Sequence, residues 1–238
     1  MQELRETWVY LSASPLLHLT LTLAAFVLAS LLYRKARMNP LLNPVLLSVV
    51  AIVALLSLSG TDYYSYFDGA QFVHFLLGPA TVALAVPLYR QFDRVRKSAL
   101  AILVSLVCGA ITSAASAVLI ARLLGAQPQS IVSLAPKSVT APVAMGIAEQ
   151  LGGIPSLTAV MVILTGIVGA MLGPLLLNLL GISDWSARGF AIGTASHGIG
   201  TARALQVNEL AGAFSGLAMG LNALATAILL PLAWKLFF

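Results

Sequence analysis

Residues 195–205 read ASHGIGTARAL. A histidine and an arginine enclose two glycines there, and long apolar runs lie on either side. Only 9% of the 238 residues are charged, so ionisable groups in this setting need a reason. Gly198 and Gly200 supply the backbone freedom that ends a helix. Irregular backbone at membrane depth leaves N–H and C=O groups unpaired, and it survives only inside protein or against a water-filled cavity. The stretch reads as a broken membrane segment beside a polar niche.

The rest of the chain supports a membrane setting. Hydrophobic residues make up 59% of it, and mean hydropathy is +0.96. A soluble domain carries roughly 25% charged residues, so a soluble enzyme is excluded. The net charge of +5 might suggest nucleic acid, but the basic residues do not gather on one surface with aromatics between them. Arg34, Lys35 and Arg37 follow the first apolar run, and Arg90, Arg94, Arg96 and Lys97 follow the third. Such clusters set orientation by the positive-inside rule. The N-terminal MQELRETWVYLSASPLL has its basic cluster after the apolar run, so it reads as a retained first span with its N-terminus outside. Cys108 is the single cysteine, which excludes an intrachain disulfide.

A span needs about 20 apolar residues. Runs at 16–33, 42–59, 72–89, 99–123, 156–180 and 212–236 qualify. Pro40 and Pro44 make the first turn, and GTDYYSYFDGAQ (60–71) reads as a connection with Tyr and Asp at interfacial depth. Two stretches, about 128–155 and 184–211, are too polar and too rich in Gly and Pro for ordinary spans, yet too apolar for solvent loops. They also resemble each other. APKSVTAPVAM (135–145) lies 60 residues before ASHGIGTARAL, with Lys137 opposite His197, and EQLGGIPSLTAV (149–160) matches NELAGAFSGLAM (208–219) after a slip. The expected fold is an all-α polytopic membrane protein, with about six full transmembrane helices and two broken or re-entrant segments. Residues 1–60 form N-terminal helices for scaffolding or oligomerisation, and 61–238 a transport core with repeated units about 128–181 and 184–238. Gly/Pro-interrupted segments in corresponding positions of a repeat point to a transporter's binding site.

Gly152, Gly153, Pro136, Pro142 and Pro155 mark further places where helices should break. Lys137 and His197 each stand just before a helix start, whose free N–H groups and positive dipole end suit a carboxylate. Ser138, Thr140, Ser196, Gly198, Thr201 and Arg203 complete the candidate substrate site, with His197 or Glu149 carrying a coupling proton. Each has a plainer reading. Lys137 would snorkel to the interface, His197 would pack as a neutral ring, and Arg203 would bridge to Glu209 or Glu149. The hydroxyls would bond their own helices. Asn222 reads as a residue that cements helices, His18 and His74 as packing histidines, and Asp62 and Asp68 as solvated. No enzyme, cofactor or metal motif is present: GIGTARA lacks the third glycine of GxGxxG, and neither HExxH nor GxSxG occurs.

Four stretches carry a more specific signal: FLLGPATVALAVPLYRQ (75–91), LAPKSVTAPVAMGIAEQLGGIPSLTAV (134–160), LTGIVGAMLGP (164–174) and GTASHGIGTARALQVNELAGAFSGLAMGLN (193–222). Together they closely resemble the LrgB/CidB family of bacterial inner-membrane proteins, with the first sixty residues alike only in hydropathy. The resemblance implies a small LrgA/CidA-type membrane partner. It also implies transport of small monocarboxylates, since a plant relative looks like a glycolate/glycerate exchanger and some bacterial members are linked to pyruvate uptake. An older view of the family is holin- and antiholin-like control of murein hydrolase export and cell lysis. The function expected here is a secondary, proton-coupled carrier for glycolate, glycerate or pyruvate in the bacterial inner membrane, dimeric, without nucleic acid; the holin-like role and a scaffold subunit are the alternatives.

Overall fold

The computed structural model describes residues 15–36, 38–39 and 42–237. The N-terminal stretch read as lying outside the membrane, together with Arg37 and Pro40, falls outside the described residues. The described chain is helical and forms two compact units, Met1–Ala83 and Leu84–Phe238. Among the described residues, Leu16–Lys35, Tyr63–Arg90, Ala99–Leu123, Pro155–Leu179 and Glu209–Leu236 are long and apolar enough to cross a membrane, and Pro44–Ser59 is a shorter apolar helix. The polytopic all-α architecture expected from the sequence is the one observed.

The first unit holds α1 (Pro15–Lys35), α2 (Pro44–Ser59), α3 (Tyr63–Phe75) and α4 (Leu77–Ala83). Asn43 starts α2 by accepting the Val45 and Leu46 amides at 2.9 and 3.2 Å, with Pro44 in the first turn. Gly60 ends it with φ 67°, a left-handed cap that glycine adopts without penalty. The connection expected at 60–71 is helical from Tyr63 onward. Asp62 accounts for the difference: its Oδ1 accepts the Tyr64 and Ser65 amides at 2.9 and 3.1 Å, and its Oδ2 accepts the Ser65 hydroxyl. The bonds from the Ser65 hydroxyl and amide hold this exposed carboxyl below its ordinary range. His18 is a packing histidine, buried edge-on against Tyr66.

The second unit holds α5 (Ala85–Arg90), α6 (Phe92–Lys97), α7 (Ala99–Leu123), α8 (Pro128–Leu134), α9 (Ala141–Gln150), α10 (Pro155–Leu179), α11 (Trp185–Val207) and α12 (Glu209–Phe237). The run expected at 72–89 lies within the apolar stretch Tyr63–Arg90, where single turn residues at Leu76 and Leu84 punctuate the helix. From α8 onward the order repeats: an interrupted segment, then a long helix. The first interruption covers 135–140 between α8 and α9. The second is a kink at His197 inside α11, where φ is 41° and ψ is −134°. Both fall within the positions that the sequence repeat aligns.

Packing in this unit inverts the soluble pattern. Leu119, Leu175, Leu179 and Leu232 are exposed, whereas Ser133, Thr158, Thr194, Thr201, Ser215 and Asn222 are buried. Without a hydrophobic drive between helices in lipid, close backbone approach and polar contacts hold such interfaces. GFAIG (189–193) shows the first device. A Cβ at Gly189 or Gly193 would overlap the backbone of Ala211 or Ser215, so α11 and α12 lie backbone to backbone. Leu106, Phe190, Phe214 and Ala218 form an apolar cluster joining α7 to the same pair.

Candidate functional site

The 135–140 interruption is short and tightly wound. Lys137 and Val139 donate their amides to the carbonyls of Leu134 and Pro136, each at 3.2 Å. This turn carries Lys137 toward α7, where Nζ donates to Ser113 Oγ at 3.2 Å and to Ser138 Oγ at 3.3 Å. The two hydroxyls bond each other at 2.6 Å. Among the described residues no carboxylate pairs with Lys137.

The kink at His197 is built differently. A non-glycine residue at positive φ stores of order 1–3 kcal/mol and persists only where its surroundings over-determine it. Here the ring is buried and its Nε2 lies 2.9 Å from the Val162 carbonyl of α10. Gly166 leaves the room it needs, because a Cβ there would stand 2.6 Å from His197 Cε1. Thr201 Oγ1 donates to the His197 carbonyl at 2.8 Å and lies 2.9 Å from Ser215 Oγ. His197 therefore fixes the bend rather than facing open space.

Asn222 on α12 ties the interruptions together. Its Nδ2 donates to the Ser138 carbonyl at 3.3 Å and to the Thr194 carbonyl at 3.0 Å. Thr194 lies in the turn before the kink. The cementing role read for Asn222 in the sequence thus has a specific target.

Beside this junction lies a cavity of about 1010 Å³. Lys137, Ser138 and Ser196 of the candidate site line it, with Ser105, Thr112 and Ser113 from α7, Thr165 from α10 and Thr194 from α11. Phe190, Phe214, Met161 and Val168 supply apolar wall, and Asp184 is the carboxylate in the lining. Asp184 Oδ1 is engaged in accepting the Ala187 amide at the start of α11. Lys137 is the basic residue of that lining.

The remaining candidates sit elsewhere. His197 is in the buried contact with Val162 just described. Thr201 is buried against its own helix carbonyl, the plainer reading for a membrane threonine. Thr140 precedes α9 without a side-chain cap bond. Gly198 and Glu149 are exposed and Arg203 is half-buried, and none of these lines the cavity. Glu209, one of the two carboxylates expected as a bridge partner for Arg203, accepts at its Oε1 from Arg90 Nη1 at 3.3 Å. The α7 hydroxyls escaped the sequence reading. Ser105, Gly109, Thr112 and Ser116 recur at helical spacing along an otherwise apolar run, the signal that would have found that face.

Similarity to known proteins covers nearly the whole chain. The model of the LrgB-like family matches residues 22–236, and so extends through the first spans, which the resemblance had covered only in hydropathy. YxaC of Bacillus subtilis (strain 168) is 40% identical over 91% of this chain and 94% of its own. A holin-like protein CidB of Staphylococcus epidermidis is 35% identical over 84% of this chain and 87% of its own. A holin-like protein CidB of Staphylococcus aureus (strain N315) is 33% identical over 94% and 97%. No solved structure matches the chain. With its family matched across both interrupted segments and the spans around them, this chain is a multi-pass membrane protein that belongs to the LrgB-like family.

Proposed function

We propose that this protein is a secondary carrier for small monocarboxylates of the glycolate, glycerate and pyruvate class. The observation that carries the reading is Lys137: a basic amine with hydroxyl partners and, among the described residues, no carboxylate partner, lining a cavity beside two interrupted segments. A carboxylate pairs with the protonated amine, and the Ser and Thr hydroxyls around it suit a hydroxy- or keto-acid. The apolar wall limits the polar part of the ligand to one end. Importing an anion against an inside-negative potential costs about 2.3 kcal/mol per charge per 100 mV, which one accompanying proton removes. In this reading the protein alters no covalent bond. It works in the bacterial inner membrane as a dimer, beside a small membrane protein of the LrgA/CidA type, with its N-terminus outside.

A second reading is a holin-like role in murein hydrolase export and lysis. It is favoured by the relatives at 33–35% identity that bear the name holin-like protein CidB. The two differ in what crosses the bilayer. Proteoliposomes loaded with an unlabelled two- to four-carbon acid and an entrapped dye separate them. A carrier accumulates external labelled acid by counterflow and retains the dye. A holin-like pore releases the dye, increasingly with protein density, and shows no acid preference.

A further inference from the structure

The carrier reading leaves open which group takes the coupling proton, and the two groups singled out in the sequence are poorly placed for it. His197 gives its ring to Val162, and Glu149 is exposed at the end of α9. We infer that Lys137 itself is the proton carrier: its amine takes up a proton as the carboxylate arrives and releases it as the acid leaves. The inference rests on the carrier reading and deepens it.

The surroundings of Lys137 support both of its protonation states. An ammonium has three donors, and the hydroxyls of Ser113 and Ser138 accept at 3.2 and 3.3 Å. A neutral amine needs a donor as well, and a hydroxyl reverses its role by rotation. The 2.6 Å bond between those hydroxyls runs in either direction, so one of them can turn its proton to Nζ. Among the described residues no carboxylate pairs with Lys137 to hold a charge in place. From α7 the cavity receives Cys108, and from α11 Asp184, already bound to the Ala187 amide. The described stretches of α10 and α12 bring no titratable group to the lining, nor do α8 and α9. Lys137 is half-buried, so its ammonium is partly desolvated and gains most when a counter-charge arrives. Anion and proton therefore bind together: R–COO⁻ and H⁺ enter, Lys137 becomes –NH₃⁺, and the reverse step frees both. Loaded and empty sites are then each neutral, and neither crossing moves net charge.

Arginine separates this inference from a plain anion-binding role, because a guanidinium holds anions but stays protonated. Full-length protein is reconstituted with labelled glycolate as probe and pyranine inside to report pH. In Lys137→Arg, counterflow at equal pH should persist, while pH-driven net uptake falls about tenfold or more, because the empty site must return charged. Lys137→Arg that still couples uptake to acidification overturns the inference and leaves the carrier standing. Wild type without counterflow removes the carrier reading, and this inference with it. Wild-type protein alone gives a second test that no folding defect can obscure. Its pH-driven uptake should be unchanged by an imposed potassium diffusion potential, and uptake that follows the potential refutes the neutral cycle.

Discussion

Replacing Asn222 tests how the interrupted segments are held. Its amide donates to the Ser138 carbonyl in the first interruption and to the Thr194 carbonyl in the turn before the kink. Asn222→Leu keeps the volume and deletes both bonds. Interhelical bonds in membranes are worth about 0.6 kcal/mol on average and up to about 1.7, so the pair is worth about 1–3 kcal/mol. Asn222 Oδ1 is buried with no partner among the described residues, so leucine also removes an unpaired acceptor, and the loss belongs toward the lower end. Asn222→Asp is the sharper perturbation. It presents acceptors to two carbonyls and, if ionised, a buried unpaired charge, with a loss of about 3–5 kcal/mol. Unfolding in mixed detergent gives the global values, and hydrogen exchange reads the amides of 138–140 and 194–199. Equal stability of Asn222→Leu and wild type, with unchanged exchange at both interruptions, would refute the bridging role. So would Asn222→Asp no worse than Asn222→Leu.

Three more substitutions and labels follow from the same geometry. Gly193→Ala should lose about 1–3 kcal/mol or more, because its Cβ meets the Ser215 backbone, which cannot turn aside; thermal unfolding in detergent measures it. His197→Gln should lower stability through the lost contact with Val162 while the pH dependence of uptake stays as in wild type. An altered pH profile would return His197 to the coupling role. Cys108 lines the cavity, so a small thiol reagent should label it, and saturating carboxylate should slow the labelling. Labelling that ignores every acid tested counts against a ligand in that space.

The sequence showed where the chain breaks more clearly than what each break does. Gly and Pro around 135–142 and 198–200 announce irregular backbone by local chemistry, and both interruptions occur there. The long apolar runs of α7, α10 and α12 were legible for the same reason, because span length is set by bilayer thickness. Side-chain direction was not. Lys137 and His197 look equivalent in the repeat, yet one turns to Ser113 and the other to Val162, partners 24 and 35 positions away. Glu209 likewise meets Arg90 across 119 positions. The Tyr63 helix start was within reach, since Asp62 is a strong N-cap residue, but interfacial aromatics made the stretch read as a connection. The GFAIG contact is also a known small-residue spacing that attention to charged groups passed over.

Equilibrium binding of labelled glycolate, glycerate and pyruvate to purified protein tests the central claim most directly, since it needs neither flux nor gradient. Wild type should bind at least one of these acids saturably. Lys137→Ala should bind it roughly 10- to 100-fold more weakly, the size expected for losing about 1.5–3 kcal/mol of charged hydrogen bonding. Equal affinity in a well-folded Lys137→Ala, or no saturable binding to wild type, would contradict the account.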